Sequence, residues 1–232
     1  MNRVWGGDLK NLTKAQVRKD VEMRPKCFVW LVWAAPVVLC GCNAAVNRSI
    51  ALGDGKTVRF SHHAVNGCIT IGSDCDVRAT CESVNGVITV GPDSRVRTLQ
   101  AVNGQIDLRE RVIVQGNVDS VNGSIRCSPG VKVERGVSSF NGKVELAGTT
   151  VARDIKTHDS DVALLRGSIV EGSIIVRRHR DSDSRRRVEI RVTDGSLVKG
   201  DVVVQDPDAE VAVYLSNDGR VQGRIEGATV FR

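Results

Sequence analysis

The tripeptide Val-Asn-Gly recurs at Val65-Asn66-Gly67, Val84-Asn85-Gly86, Val102-Asn103-Gly104 and Val121-Asn122-Gly123, and Phe140-Asn141-Gly142 continues it. The asparagines stand at 66, 85, 103, 122 and 141, so the steps are 19, 18, 19 and 19 residues. A fixed period of this size marks a stack of structural repeats in which no single copy buries its own apolar face.

The residues after each Asn-Gly give the copies their secondary structure. Ile69 and Ile71, Ile88 and Val90, Ile106 and Leu108, Ile125 and Cys127, and Val144 and Leu146 share one parity. Thr70, Thr89, Asp107, Arg126 and Glu145 lie between them. Strict alternation is the pattern of a strand with one buried face. Turn chemistry follows, as in Gly72-Ser73-Asp74, Gly91-Pro92-Asp93 and Ser128-Pro129-Gly130. Aromatic residues make up only 3 % of the chain, so the core is aliphatic. The expected fold is all-β: a parallel β-solenoid (β-helix) with rungs of about 19 residues, following an N-terminal signal helix. Equivalent Val and Ile side chains then form columns. The corner residues Asn66, Asn85, Asn103, Asn122 and Asn141 stack with their amides hydrogen-bonded, and the neighbouring Gly67, Gly86, Gly104, Gly123 and Gly142 permit a left-handed backbone. The alternative is an antiparallel meander, because Asn-Gly is also the strongest signal for a two-residue hairpin. The near-constant period favours the coil.

Beyond residue 141 the pattern loosens. His158-Asp159-Ser160 takes the place of Asn-Gly, and the wording shifts to Gly167-Ser168-Ile169-Val170-Glu171-Gly172 and Gly195-Ser196-Leu197-Val198-Lys199-Gly200. Residues 56–165 are therefore read as the regular solenoid. Residues 166–232 are read as divergent rungs, with strands near Val202–Val204, Val211–Tyr214 and Ala228–Phe231 forming a C-terminal cap.

The N-terminal segment is of another kind. Residues 23–42 read MRPKCFVWLVWAAPVVLCGC. A basic start is followed by an apolar run too short to span a bilayer comfortably. A start at Met23 would give a leader of ordinary length. The ending Leu39-Cys40-Gly41-Cys42 resembles the lipobox of bacterial lipoprotein signal peptides. The resemblance implies cleavage after Gly41, a lipid on the Cys42 thiol and acylation of its amine, which together suffice for stable anchoring. Asn43 stands where that family's sorting rules reserve Asp for inner-membrane retention, which implies an outer-membrane protein facing the periplasm. Residues 43–55 are read as a tether.

With that leader set aside, the charge balance changes. The formal net charge is +6, but residues 1–42 hold seven basic and three acidic residues. The remaining chain is nearly balanced at +2, which argues against a nucleic-acid partner. Of seven cysteines, Cys68, Cys75, Cys81 and Cys127 lie beyond Cys42. In an oxidising compartment one disulfide is expected among Cys68, Cys75 and Cys81. Cys127 occupies an apolar position and is expected to be a buried free thiol. The spacing does not suit zinc.

The repeated Ser-Val-Asn-Gly-x-Ile wording over residues 56–165 resembles a family of bacterial β-strand repeats of unknown function, often described as adhesin-like. The later Gly-x-Val-x-Gly wording is more weakly similar to bactofilin-like, polymer-forming solenoids. Membership implies a parallel β-solenoid exported to the cell envelope and supplies no catalytic residue.

Arg177, Arg178, Arg180, Arg185, Arg186, Arg187 and Arg191 form the main linear charge cluster, interrupted by His179, Asp181, Asp183 and Glu189. Mixed charges suit a solvated loop projecting from a rung. The functional reading is anion contact with lipopolysaccharide phosphate, an acidic glycan or a partner protein. His62 and His63 point to opposite faces of one strand and are expected to be exposed. The pairs Asp74/Asp76, Asp181/Asp183 and Asp206/Asp208 suit turns better than calcium. No nucleophile elbow, phosphate loop or dinucleotide fingerprint occurs. The expectation is a non-enzymatic envelope protein without cofactor or metal, held to the membrane by lipid, with an envelope protein, a glycan or its own copies as partners. The alternative is a carbohydrate-binding or carbohydrate-active β-helix protein.

Overall fold

The computed structural model describes residues 43–177, 187–206 and 208–232. Every regular element among them is a strand, and every strand pairing is parallel. The meander is thereby excluded, since hairpins pair antiparallel. Each coil contributes strand segments to three faces. In the first coil these are β1 (Asn43–Val46), β2 (Ile50–Leu52) and β3 (Thr57–Val58). They pair with His62–Val65, Ile69–Ile71 and Asp76–Val77 of the second coil. Later coils repeat the scheme, and some strands run around a corner from one face to the next, as Val137–Ala147 and Ile155–Leu165 do.

Register converts the sequence period into columns of side chains. On the third face Val58, Val77, Val96, Val114, Val133, Val151, Val170, Val198 and Val221 stand in successive coils. On the second face the column reads Ile50, Ile69, Ile88, Ile106, Ile125, Val144, Val162, Ile190 and Val213. Nearly all of these residues are fully buried, in one continuous core. Branched aliphatic side chains fit this arrangement because each packs on its copy about 4.8 Å away. Each is worth roughly 1.5–3 kcal/mol when fully buried.

Four expectations need correction. Residues 43–55 are not a tether: β1 and β2 are in register with the coil above, so the solenoid already includes Asn43. Sequence reading missed this coil because it carries Val46-Asn47-Arg48, without the glycine. The C-terminal cap is instead more solenoid. Val202–Val204 and Glu210–Leu215 pair in register with earlier coils, and Thr229–Phe231 adds a further strand whose Val230 and Phe231 remain exposed. Phe231 stacks on Tyr214 with ring centroids 4.9 Å apart.

The expected disulfide is absent. Cys68, Cys75, Cys81 and Cys127 are free thiols. Cys68 precedes a second-face strand and Cys75 a third-face strand, while Cys81 lies on the first face between His62 and Leu99. Placed on different faces, they do not meet the close approach a disulfide needs. Burial pushes the Cys81 and Cys127 thiols up to about 12.

His62 and His63 do point to opposite faces, but His62 is not exposed. It is fully buried, and neither ring nitrogen has a hydrogen-bond partner. Its column is otherwise apolar in the next coils, with Cys81, Leu99 and Val118. Burial, and secondarily the neighbouring His63, hold its pKa below the ordinary value. The folded state therefore binds fewer protons than the unfolded chain. Stability from this site is intact above about pH 6.5 and falls as the pH drops through that value. Replacing His62 with Leu should raise stability by about 1–2 kcal/mol by removing unpaired polar atoms. It should also flatten the loss of thermal midpoint between neutral and mildly acidic buffer. An unchanged acid dependence would contradict this account of His62.

Candidate functional site

Two surface columns stand at different corners of the coil. The first is the asparagine corner. Asn66 Nδ2 donates to Asn47 Oδ1 at 3.0 Å, Asn85 to Asn66 at 2.9 Å, Asn103 to Asn85 at 3.1 Å and Asn122 to Asn103 at 3.0 Å. The last link, from Asn141 to Asn122, is 3.5 Å long. Each carboxamide within the ladder accepts from one neighbour and donates to the other, using its two kinds of polar atom on the stack itself.

In the first five coils the left-handed residue of this corner is the asparagine and not the glycine, whereas in the sixth it is Gly142, with φ 141°. Asn47, Asn66, Asn85, Asn103 and Asn122 have φ between 52° and 56°, a region Asn tolerates better than most residues. Glycine is required for a different reason. A Cβ at Gly67 would lie 2.1 Å from the Arg48 carbonyl oxygen, at Gly86 2.0 Å from that of Gly67, and at Gly123 1.6 Å from that of Gly104. The backbone of one coil presses on the next, leaving no room for a side chain. At Asn141-Gly142 the strand runs straight through the corner, and His158 follows, its ring 4.7 Å from that of Phe140. The asparagine corner is a structural device: its amides are used on each other.

The second column lies where the third face turns toward the first. Arg59, Arg78 and Arg97 each directly follow a valine of the third-face column, so they occupy equivalent places in three successive coils. Arg135 and Arg153 continue the same corner beyond Gln115 and Gly116. All five arginines are exposed. Shallow depressions connect Arg78, Arg97, Arg135 and Arg153, lined also by Arg95, Gln115, Asn117 and the acidic Glu134. Arg78 is held by Asp76 at 2.7 Å, and Lys156 faces Asp154 at 3.9 Å. Among the described residues Arg97, Arg135 and Arg153 have no ion-pair partner. Asp119 stands in the depression beside Arg135 and Arg153, and burial raises its pKa. Two runs of guanidinium forks on successive coils, Arg59, Arg78 and Arg97 and then Arg135 and Arg153, are broken at the coil of Gln115 and Gly116, and within each run the coil spacing of about 4.8 Å suits an extended chain of phosphate, sulfate or carboxylate groups.

Sequence reading missed this row because it looked for contiguous charge. The signal is one of phase: Arg59, Arg78 and Arg97 stand 19 residues apart, one place after the third-face valine, and Arg135 and Arg153 stand 18 apart, two places after it.

Most of the linear arginine cluster, namely Arg178, Arg180, Arg185 and Arg186, lies outside the described residues. Its two ends are described. Arg177 ends a first-face segment in an exposed position, and Arg187 opens a second-face strand, its Nη2 donating to Tyr214 Oη at 3.1 Å. The register step across this stretch is 28 residues (Val162 to Ile190), so the cluster sits in an insertion within one coil. The lipobox residues Leu39, Cys40, Gly41 and Cys42 also lie outside the described residues. Among the described residues, no three His, Cys, Asp or Glu side chains gather as a metal site would require.

The chain matches no protein-family model, and no curated protein or solved structure is similar to it.

Proposed function

We propose that the chain is a non-enzymatic lipoprotein of the cell envelope, anchored in the outer membrane through Cys42 and acting as a rigid interaction scaffold. The observation that carries this reading is the uninterrupted stacking of one aliphatic core from Asn43, the residue after Cys42, to the C-terminal coil. A parallel stack holds its surface columns at fixed spacing along the rod, which suits recognition of an extended partner. The leader and lipobox supply the address and the anchor.

The test is Cys42→Ala in the exporting bacterium. The parent chain is expected in the membrane fraction with an acyl label, and the variant in the soluble fraction or as unprocessed precursor without label. Equal membrane retention with no acyl label on either protein would overturn the anchor.

A second reading, carbohydrate binding, is favoured by the arginine column. With a sulfated polysaccharide as probe, the combined substitution of Arg97, Arg135 and Arg153 by Ala is expected to weaken binding by at least about tenfold. The parent affinity should fall steeply with added salt. Absence of binding by the parent would overturn this reading, and turnover of the probe would replace it with the carbohydrate-active one.

A further inference from the structure

Among the described residues, the first coil has none beneath it. Among the described residues β1, β2 and β3 pair on one side only, leaving a row of backbone N–H and C=O groups open. The same coil carries the two most exposed large apolar side chains of the described residues, Val46 at 65 % and Phe60 at 47 %. The Phe60 ring meets His62 edge-on at 5.3 Å, and His62 is the register partner of Asn43. Phe60 thus stands beside the point where the chain arrives from Cys42. Arg48, Lys56 and Arg59 are exposed around this coil, and Asp54 is its one acidic residue.

We propose that this coil is a membrane-contacting face, seated on a phospholipid surface that carries anionic headgroups. The proposal rests on the reading of Cys42 as the acylated residue. An aromatic ring beside cations is the combination that enters the interface between headgroups and acyl chains. The basic side chains meet lipid phosphate. Asn43 immediately follows the acylated residue, and the reach of one extended residue is about 3.5 Å. The lipid therefore brings the open coil to the surface and keeps it there. The opposite end has the opposite chemistry: Asp206, Asp208, Glu210, Asp218 and Glu226 outnumber Arg220, Arg224 and Arg232. Anionic headgroups repel that end, so the rod projects from the membrane with its arginine column accessible. A second copy's acidic end is the competing occupant, and acyl chains at Cys42 leave it no room.

All three tryptophans of the chain, Trp5, Trp30 and Trp33, precede Cys42, so the processed protein lacks them. Phe60→Trp and, as a mid-rod comparison, Val121→Trp are each made in the full chain and purified after export. They are reconstituted in phosphatidylcholine/phosphatidylglycerol vesicles with brominated acyl chains, and the parent's emission is subtracted. The indole of the Phe60→Trp protein is expected to be blue-shifted and quenched several-fold more than that of the Val121→Trp protein. Adding Arg48→Glu, Lys56→Glu and Arg59→Glu to the Phe60→Trp protein should reduce that quenching. Mass spectrometry of the same sample reads the acyl group on Cys42. An acylated Phe60→Trp protein whose indole is unquenched overturns the contact face while leaving the anchor standing. A protein without acyl groups overturns the anchor, and the quenching then judges the coil alone. Equal quenching in the two variants means a rod lying flat and overturns the proposal. So does a blue shift in the Phe60→Trp protein that depends on protein concentration and not on brominated lipid, which identifies a second copy.

Discussion

Gly123→Ala is expected to lower unfolding stability by at least about 3 kcal/mol, or to prevent folding of the central coils. The added Cβ would sit 1.6 Å from the carbonyl oxygen of Gly104, and the atom in the way is backbone, which no rotamer change removes. Gly104 is itself stacked on Gly86, so relief at one coil transfers the displacement to the next. Gly53→Ala is the matched comparison. Nothing lies within 4 Å of its ideal Cβ, and its backbone needs no positive φ. It should change stability by less than about 0.5 kcal/mol. Thermal and denaturant unfolding of the two variants beside the parent measure the difference. If both substitutions are equally tolerated, the coils do not touch at the Asn-Gly corner.

The same contact explains where the sequence misleads. Glycine follows asparagine only where a coil lies beneath it. Among the described residues no coil lies beneath Arg48, and the first copy reads Asn-Arg and passes for a linker. The asparagine ladder and the alternating core were legible because each depends on local spacing copied from rung to rung. The assignment of the left-handed residue was not, since Asn and Gly both tolerate that backbone and only the coordinates show the glycine spent on close approach. His62 was misread for a related reason. Its neighbour His63 has the outward parity, with Nδ1 3.1 Å from Glu82 Oε2, whereas His62 takes the inward one. The arginine corner escaped because its members are adjacent only after coiling. Phase within the repeat, and not proximity along the chain, is the useful coordinate for such a protein.

The second large effect concerns the core. Ile106 is fully buried between Ile88 and Ile125 in the second-face column. Ile106→Ala should cost about 2–5 kcal/mol, from lost burial and from a cavity that rigid stacked strands do not collapse into. Ile50→Ala removes the same atoms from the same column at the open end, where Ile50 is 7 % exposed and has a neighbour on one side only. Its cost should be clearly smaller, because solenoid stability is a sum over neighbouring coils and ends open first. Equal losses at both positions would argue against a one-dimensional stack.

A distance along the rod tests the parallel stack most directly. Thr70 and Arg191 occupy one outward column of the second face, joined through Thr89, Asp107, Arg126, Glu145 and Ala163. Spin labels are placed at Thr70→Cys and Arg191→Cys in a background with Cys27, Cys40, Cys42 and Cys68 replaced by Ser, the remaining Cys75, Cys81 and Cys127 being buried. Six coil steps predict a backbone separation of about 29 Å, whereas six two-stranded hairpins laid side by side give about 58 Å. A distribution centred near the shorter distance is the expected result of double electron–electron resonance, and one centred near the longer distance would contradict the solenoid.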